Sequence, residues 1–342
     1  MNEKMIKVGI TQGDTNGIAC ELILKTLDEP HILESCIPVI YGSAKVLTHH
    51  RKTLELPFPN VNNMDTAENV DDNQINLINV YQEDSTIEFG KPTAESAKIG
   101  EIAFKKALDD LKNGAIDVLV AAPTSLDPLK TIEPEIQEKK EGLKIWVYDT
   151  LRVALATDQI TQASLTELPV EILAEKIQVL RATLVRDFGV TFPRIAVLSS
   201  NAQMDKKVNQ AIVAVSEKGT LCFGPYPTES FFASNEFKKF DAILAMSQDQ
   251  GMIAFHTTNH QEEAAIFIAN LPYIITAPEP NAFFDKAGKN EASPDSFRNA
   301  LFMAIDLFNN RSFDTEIHQN PLRKQYFERG SDNEKLDLTR ED

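Results

Sequence analysis

Cysteine is scarce in this 342-residue chain: Cys20, Cys36 and Cys222 stand far apart. An odd, sparse set without paired spacing excludes a metal knuckle and a disulfide framework, and points to a reducing compartment. Basic charge is short as well, with 34 Lys and Arg against 51 Asp and Glu and a net charge of −17. Such a balance opposes nucleic-acid phosphates and anionic membranes unless a local basic patch intervenes. None does; Lys139-Lys140, for example, is flanked by Glu138 and Glu141. No apolar run approaches the roughly 20 residues that a bilayer span needs, and Met1 to Ile10 has no leader-like segment. The expectation is a cytoplasmic protein with no nucleic-acid and no membrane partner.

The common catalytic signatures are missing too. There is no Gly-x-Ser-x-Gly elbow, no cysteine in a nucleophile motif and no His-Glu-x-x-His. His49 and His50 adjoin Arg51 on what reads as a surface helix, and His256 and His260 read as part of a surface loop. The acidic pairs Asp109-Asp110 and Glu262-Glu263 read as solvated faces. The loop Ile10 to Ile18 holds Gly13 and Gly17, which with Gly9 before it form a run spaced four apart. That spacing is neither a dinucleotide fingerprint nor a P-loop. The loop can still hold an anion at a helix N-terminus, or it is a tight turn in which Asp14 or Asn16 caps the helix.

What is present is an alternation of strand-like and helical runs. Strands are expected at Met5 to Thr11, Ile37 to Tyr41, Ile75 to Tyr81, Ile116 to Ala122, Lys144 to Val147, Arg152 to Thr157, Arg194 to Leu198, near Thr220 to Phe223, Ala242 to Met246 and Pro272 to Thr276. Helices are expected from Gly17, over Ser43 to Leu54, from Thr93 to Gly114, over Pro169 to Phe188 and over Ser296 to Asn310. In the Thr93 helix, Ala97, Ile99, Ala103, Phe104, Ala107, Leu108 and Leu111 mostly fit a 3.6 period. This rhythm predicts an α/β fold with a largely parallel sheet. Pro128 and Pro134 break it within Thr124 to Gly142, a domain crossover or surface loop. One α/β domain is expected over 1–123 plus about 277–312, a second with dimer contacts over about 124–276. A polar, partly mobile extension is expected over 313–342.

Strand ends are where α/β enzymes place their chemistry. Three of them carry glutamine: Thr157-Asp158-Gln159, Asn201-Ala202-Gln203 and Met246-Ser247-Gln248-Asp249-Gln250-Gly251. The last follows the apolar run Ala242 to Ala245 and reads as a polar turn.

Set in order, these segments resemble the 4-hydroxythreonine-4-phosphate dehydrogenase family of pyridoxal phosphate biosynthesis. The resemblance rests on Ile10 to Ile18 with Glu21, Ala122-Pro123, Arg152 to Leu155 and Pro193 to Leu198. It continues through the Gly224 to Pro227 turn, Asp249-Gln250-Gly251, and Asp285-Lys286-Ala287-Gly288-Lys289 with Asp295-Ser296-Phe297. It spans roughly residues 5 to 311. The fold it implies is two-domain α/β/α, like isopropylmalate dehydrogenase, with mostly parallel sheets and an interdomain cleft. It implies a homodimer, and NAD as cofactor.

The family oxidises a secondary alcohol with NAD and then loses carbon dioxide, aided by a divalent metal held by three histidines from two subunits. Those positions fall at Gln159, Gln203 and Gln248. An amide is a far poorer ligand than imidazole for such ions, so bound divalent metal is expected to be absent. The family's phosphate loop has no counterpart between Lys130 and Lys144. Its substrate lysines fall at Leu126 and His256, its Asn near Ile266 and its Arg at Ile275. Its Asp-His-Gly-Thr-like turn becomes Glu279-Pro280-Asn281-Ala282. What the resemblance leaves as cleft remnants is Asp14, Glu229, Asp249 and Gln250, with Asp285, Gly288 and Lys289 as remaining cofactor contacts. The expectation is a homologue degenerate for the parental reaction, with a regulatory, scaffold or hetero-dimer role beside an active paralogue. A repurposed metal-independent NAD-linked enzyme, or parental activity kept with a paralogue, are the alternatives.

Overall fold

The computed structural model describes residues 5–29, 31–57, 61–81, 86–124, 143–157, 168–199, 201–258, 263–279 and 283–319. Its strands are β1 (Lys7–Thr11), β2 (Ile37–Gly42), β3 (Val61–Met64), β4 (Ile75–Asn79), β5 (Val118–Val120), β6 (Leu143–Tyr148), β7 (Leu151–Leu155), β8 (Arg194–Ser199), β9 (Leu221–Pro227), β10 (Ala242–Ala245), β11 (Ala265–Ala269) and β12 (Ile274–Pro278). They form one sheet in the order β3-β4-β2-β1-β5-β12-β11-β6-β7-β10-β8-β9. The helices are α1 (Ala19–Leu27), α2 (Ile32–Ser35), α3 (Ala44–Thr53), α4 (Ala94–Lys112), α5 (Val170–Arg186), α6 (Ala202–Ser216), α7 (Thr228–Ala233), α8 (Gln248–Thr258) and α9 (Asp295–Gln319).

The expected α/β fold with a largely parallel sheet is observed. Most neighbours pair in parallel, and the exceptions are consecutive: β12 with β11, β11 with β6 and β6 with β7. Three reversals in a row turn the direction of β7, β10, β8 and β9 against that of β1, β2, β4, β5 and β12. Loops that follow the two sets of strands therefore belong to different halves of the sheet.

Strands in such a sheet are apolar on both faces because helices cover both. Val8, Ile10, Val118 and Val120 pack with Ile23 of α1, Ile177 of α5, Val208 of α6 and Leu301 of α9. On the other face Val39, Tyr41, Leu119, Ile243 and Ile275 pack with Phe104 of α4, Phe231 of α7 and Phe255 of α8. α4 shows how the sequence drives this. Thr93 caps it by accepting from Ser96 N, in a reciprocal capping box. All seven apolar residues expected on its stripe are buried. Fully burying a side chain such as Phe104 contributes roughly 1.5–3 kcal/mol.

Several elements differ from the sequence-based expectation. β3, β11, α2, α6, α7 and α8 are added. The Gly224 to Pro227 segment is not a turn but the second half of β9, which carries one extra residue against β8 between Ala196 and Leu198. The closing helix runs on to Gln319 rather than stopping at Asn310. Most of the Thr124 to Gly142 break lies outside the described residues.

Candidate functional site

The loop after β1 is the first place where chemistry was expected, and it is sealed. Gln12, Asp14, Thr15 and Asn16 are each at most 1% exposed. The loop is held by its own polar atoms. Asn16 N donates to Asp14 Oδ1 at 2.9 Å and Asp14 N to the Pro123 carbonyl at 3.0 Å. The Asn16 side chain accepts from Glu88 N at 3.0 Å and donates to the Lys91 carbonyl at 3.0 Å. Gln12 Oε1 accepts from Ser43 N at 2.8 Å and Tyr81 OH at 2.6 Å. Helix α1 starts at Ile18 without a side-chain cap. Neither Asp14 nor Asn16 caps it, because both side chains are spent inside the loop. Asp14, expected as a cleft remnant, is buried within this loop.

His50 lies beneath this loop and is fully buried, contrary to the surface reading. Its Nε2 stands 2.9 Å from the Thr15 carbonyl, which only accepts, so Nε2 carries the proton. Nδ1 is buried without a partner. Phe89 closes over the ring at 4.8 Å between centroids. Burial lowers the His50 pKa to about 4.

The Asp285 to Lys289 segment packs onto the same corner. Glu21 and Lys25, paired at 2.7 Å, clamp its end through the Ala292 N–H at 2.9 Å and carbonyl at 2.7 Å. Asp285 and Lys289 are exposed. Gly288 has φ +77°, and a Cβ there would stand 2.8 Å from Phe89 Cγ. Both the positive φ and the closeness of Phe89 require glycine here.

The second group of expected residues follows β8, β9 and β10, three adjacent parallel strands. Gln203, Glu229 and Gln248 each sit in the first turn of the helix after its strand, and all three are exposed. Asp249 is exposed beside Gln248. Gln250 has a structural task. Its Oε1 accepts from Met246 N at 2.7 Å and its Nε2 donates to Thr228 Oγ1 at 2.7 Å, tying β10 to the start of α7. The expected polar turn at Met246 to Gly251 is therefore the entry to a helix. Gly251 permits it, since a Cβ there would stand 2.8 Å from Leu155 Cδ2. Gln159 lies outside the described residues. The donors at the two described positions are amides, which do not fit a zinc-like ion. Among the described residues no three His, Cys, Asp or Glu side chains gather to hold a metal.

Sequence reasoning missed a third group. His256 lies on α8, not in a surface loop, and its Nε2 meets Glu279 Oε1 at 2.8 Å. His256 Nδ1 and Glu279 Oε2 are buried without partners. Burial raises Glu279 to about 7 and lowers His256. Behind them Ile266 and Ile275 are 2% and 0% exposed, in one apolar cluster with Phe255. Asp110 does not lie on a solvated face: it is buried and accepts from Tyr41 OH at 2.9 Å.

Helices on both faces of one largely parallel sheet, with polar residues following its parallel strands, make this a three-layer α/β/α fold. Residues 34–304 match the family described as pyridoxal phosphate biosynthetic protein PdxA. The chain is 37% identical to a 4-hydroxythreonine-4-phosphate dehydrogenase of Bacteroides thetaiotaomicron, over 99% of this chain and 98% of that one. It is 29% identical to one of Sulfurihydrogenibium sp., over 88% and 98%. The structure of the Klebsiella pneumoniae 4-hydroxythreonine-4-phosphate dehydrogenase superposes with TM-score 0.73 at 22% identity, covering 90% of this chain and 99% of that one. This chain belongs to the PdxA family. No helix among the described residues is long and apolar enough to cross a membrane.

Proposed function

We propose that this chain keeps the PdxA fold but has lost the metal-dependent oxidation, and acts as a regulatory or scaffold homodimer, or as the silent half of a hetero-dimer with an active paralogue. One observation carries the reading. Ile266 and Ile275 are both packed into the core, and the resemblance puts the family's substrate-binding Asn near Ile266 and its Arg at Ile275. An apolar floor cannot return the charge-assisted bonds that a phosphate or carboxylate needs, each worth roughly 1.5–3 kcal/mol. Gln203 and Gln248 at two metal positions add to it. The name of the Bacteroides relative argues for the parental reaction; these four side chains argue against it, and we give them the greater weight. Turnover of 4-phosphohydroxythreonine with NAD and added zinc or magnesium tests it. Loss of activity to background is expected, and a rate on the order of 1 per second or more would sink the proposal.

The His256–Glu279 pair favours a second reading, a repurposed NAD-linked enzyme that works without metal. A carboxyl group with a pKa of about 7 beside an imidazole can move a proton near neutral pH. Asp285 and Lys289 are the exposed residues left to contact NAD. Calorimetry with NAD and NADH separates the readings: millimolar or tighter affinity supports repurposing, and none supports the silent homologue.

A further inference from the structure

A pocket of about 640 Å³ opens between the β6–β7 hairpin, the end of α5 and the middle of α9. Its volume falls within the roughly 300–1,000 Å³ of small-molecule sites. It is separate from the strand ends that carry Gln203 and Gln248 and from the His256–Glu279 pair. Arg152 in its wall begins β7, whereas Gln159 follows the other end of that strand. Phe188 precedes β8, whereas Gln203 follows it. The pocket also lies on the α5 and α9 face, while His256, Ile266 and Ile275 belong with α8.

Its lining is specific in charge. Three carboxylates, Asp149, Glu263 and Asp306, face a single guanidinium, that of Arg152. That guanidinium is committed to the wall. Nη1 donates to the Thr150 and Asp241 carbonyls at 3.0 and 3.3 Å, and its flat face lies 4.6 Å from the centre of the Phe188 ring. Asp187, also in the lining, is already neutralised by Arg186 at 2.7 Å and Arg311 at 3.0 Å. Hydrogen bonding to Glu263 raises the Tyr148 pKa. Asp306 makes no hydrogen bond or ion pair among the described residues, and partial burial raises its pKa. Among the described residues, net negative charge is therefore left without a cation. Between the carboxylates stand Phe188 and Met303, apolar surface that a hydrated metal ion would not use. No three carboxylates, histidines or cysteines of the described residues converge on one metal position.

We propose that this pocket binds an organic cation, an alkylamine or polyamine. Its ammonium groups reach Asp306, Glu263 and Asp149, and its methylene stem lies along Phe188 and Met303. Carboxylates supply charge-assisted hydrogen bonds to each ammonium, and the aromatic face attracts the same charge. The site is independent of the fate of the family reaction.

Titration calorimetry of the full chain with spermidine in 150 mM salt tests this. We expect saturable binding of one spermidine per chain. Asp306→Asn and Glu263→Gln should each weaken it at least fivefold. Asp109→Asn, at an exposed position on α4 far from the pocket, should leave it unchanged and so controls for general attraction to an acidic protein. Thermal melts of each variant establish that it is folded. Absence of saturable binding up to 10 mM overturns the proposal, as does equal affinity in the wild type and both pocket variants. Displacement of spermidine by an equimolar amount of magnesium ion would overturn the choice of an organic cation.

Discussion

His256 on α8 and Glu279 at the end of β12 meet at 2.8 Å, with side chains 24% and 12% exposed. Their far atoms, Nδ1 and Oε2, find no partner. A half-satisfied buried pair is costly to break from one side, because the remaining charge loses its only compensation. The Glu279 pKa is raised from 4.5 to about 7, so its favourable contribution is complete below pH 4.5 and is lost as pH rises through 7. His256→Ala should therefore cost about 2 kcal/mol at pH 8, where the carboxylate is charged and loses its hydrogen bond. At pH 5 the carboxyl is protonated and the cost should be smaller. Urea melts at the two pH values measure the difference, and an equal cost at both would show that the pair does not share a proton equilibrium.

Restoring the family's arginine tests whether the cleft is filled. Ile275 is fully buried between β5 and β11 in the apolar layer that holds Phe255 and Leu119. Ile275→Arg places an unpaired guanidinium there and should destabilise the fold by more than about 3 kcal/mol. Ile275→Val should cost only about 1 kcal/mol. If the arginine variant melts within a few degrees of the wild type, water reaches this position and the cleft is open.

The three glutamines that the proposed function sets at the family's metal positions give a gain-of-function test. Gln203 and Gln248 begin α6 and α8, and Gln159 follows β7 in sequence. Imidazoles are far better zinc ligands than amides. The triple variant Gln159→His, Gln203→His, Gln248→His should bind zinc at least tenfold more tightly than the wild type in a chelator competition. It should still fail to turn over substrate, since Ile266 and Ile275 remain. Recovery of turnover by the triple variant alone would mean that the isoleucines are no obstacle.

The sequence announces elements whose signal is local. α4 carries its cap at Thr93 and its period in seven apolar residues, and both are realised. α8 is hidden because Gly251, Thr257 and three polar residues in its first turn give no apolar stripe; packing on β7 and β10 makes it a helix. β3 is hidden because Asn62 and Asn63 in an edge strand look like a loop. The strand-end position of Gln203 and Gln248 was legible, since it needs only an apolar run followed by a polar break. The loop from Gln12 to Asn16 was legible as a turn but not as a buried one. Its partners are Ser43, Tyr81, Glu88, Lys91 and Pro123, all distant in sequence. The His256–Glu279 contact spans 23 positions and two elements, and no local pattern encodes it.

His50 shows how such non-local burial becomes measurable. The ring is held neutral between the Thr15 carbonyl and Phe89, with Nδ1 lacking any acceptor for a second proton. Its pKa is lowered from 6.5 to about 4. A lowered histidine contributes stability in full above the unfolded value of 6.5 and loses it as pH falls toward 4, because the unfolded chain then binds the proton that the fold refuses. The span corresponds to about 3 kcal/mol. Stability should thus fall as pH drops from 6.5 to 4. His50→Gln, which retains a donor for Thr15, should flatten that slope while lowering stability at pH 7.5. Urea unfolding of both proteins across this range provides the measurement. Parallel slopes would place His50 in contact with water and remove it from the core of the loop.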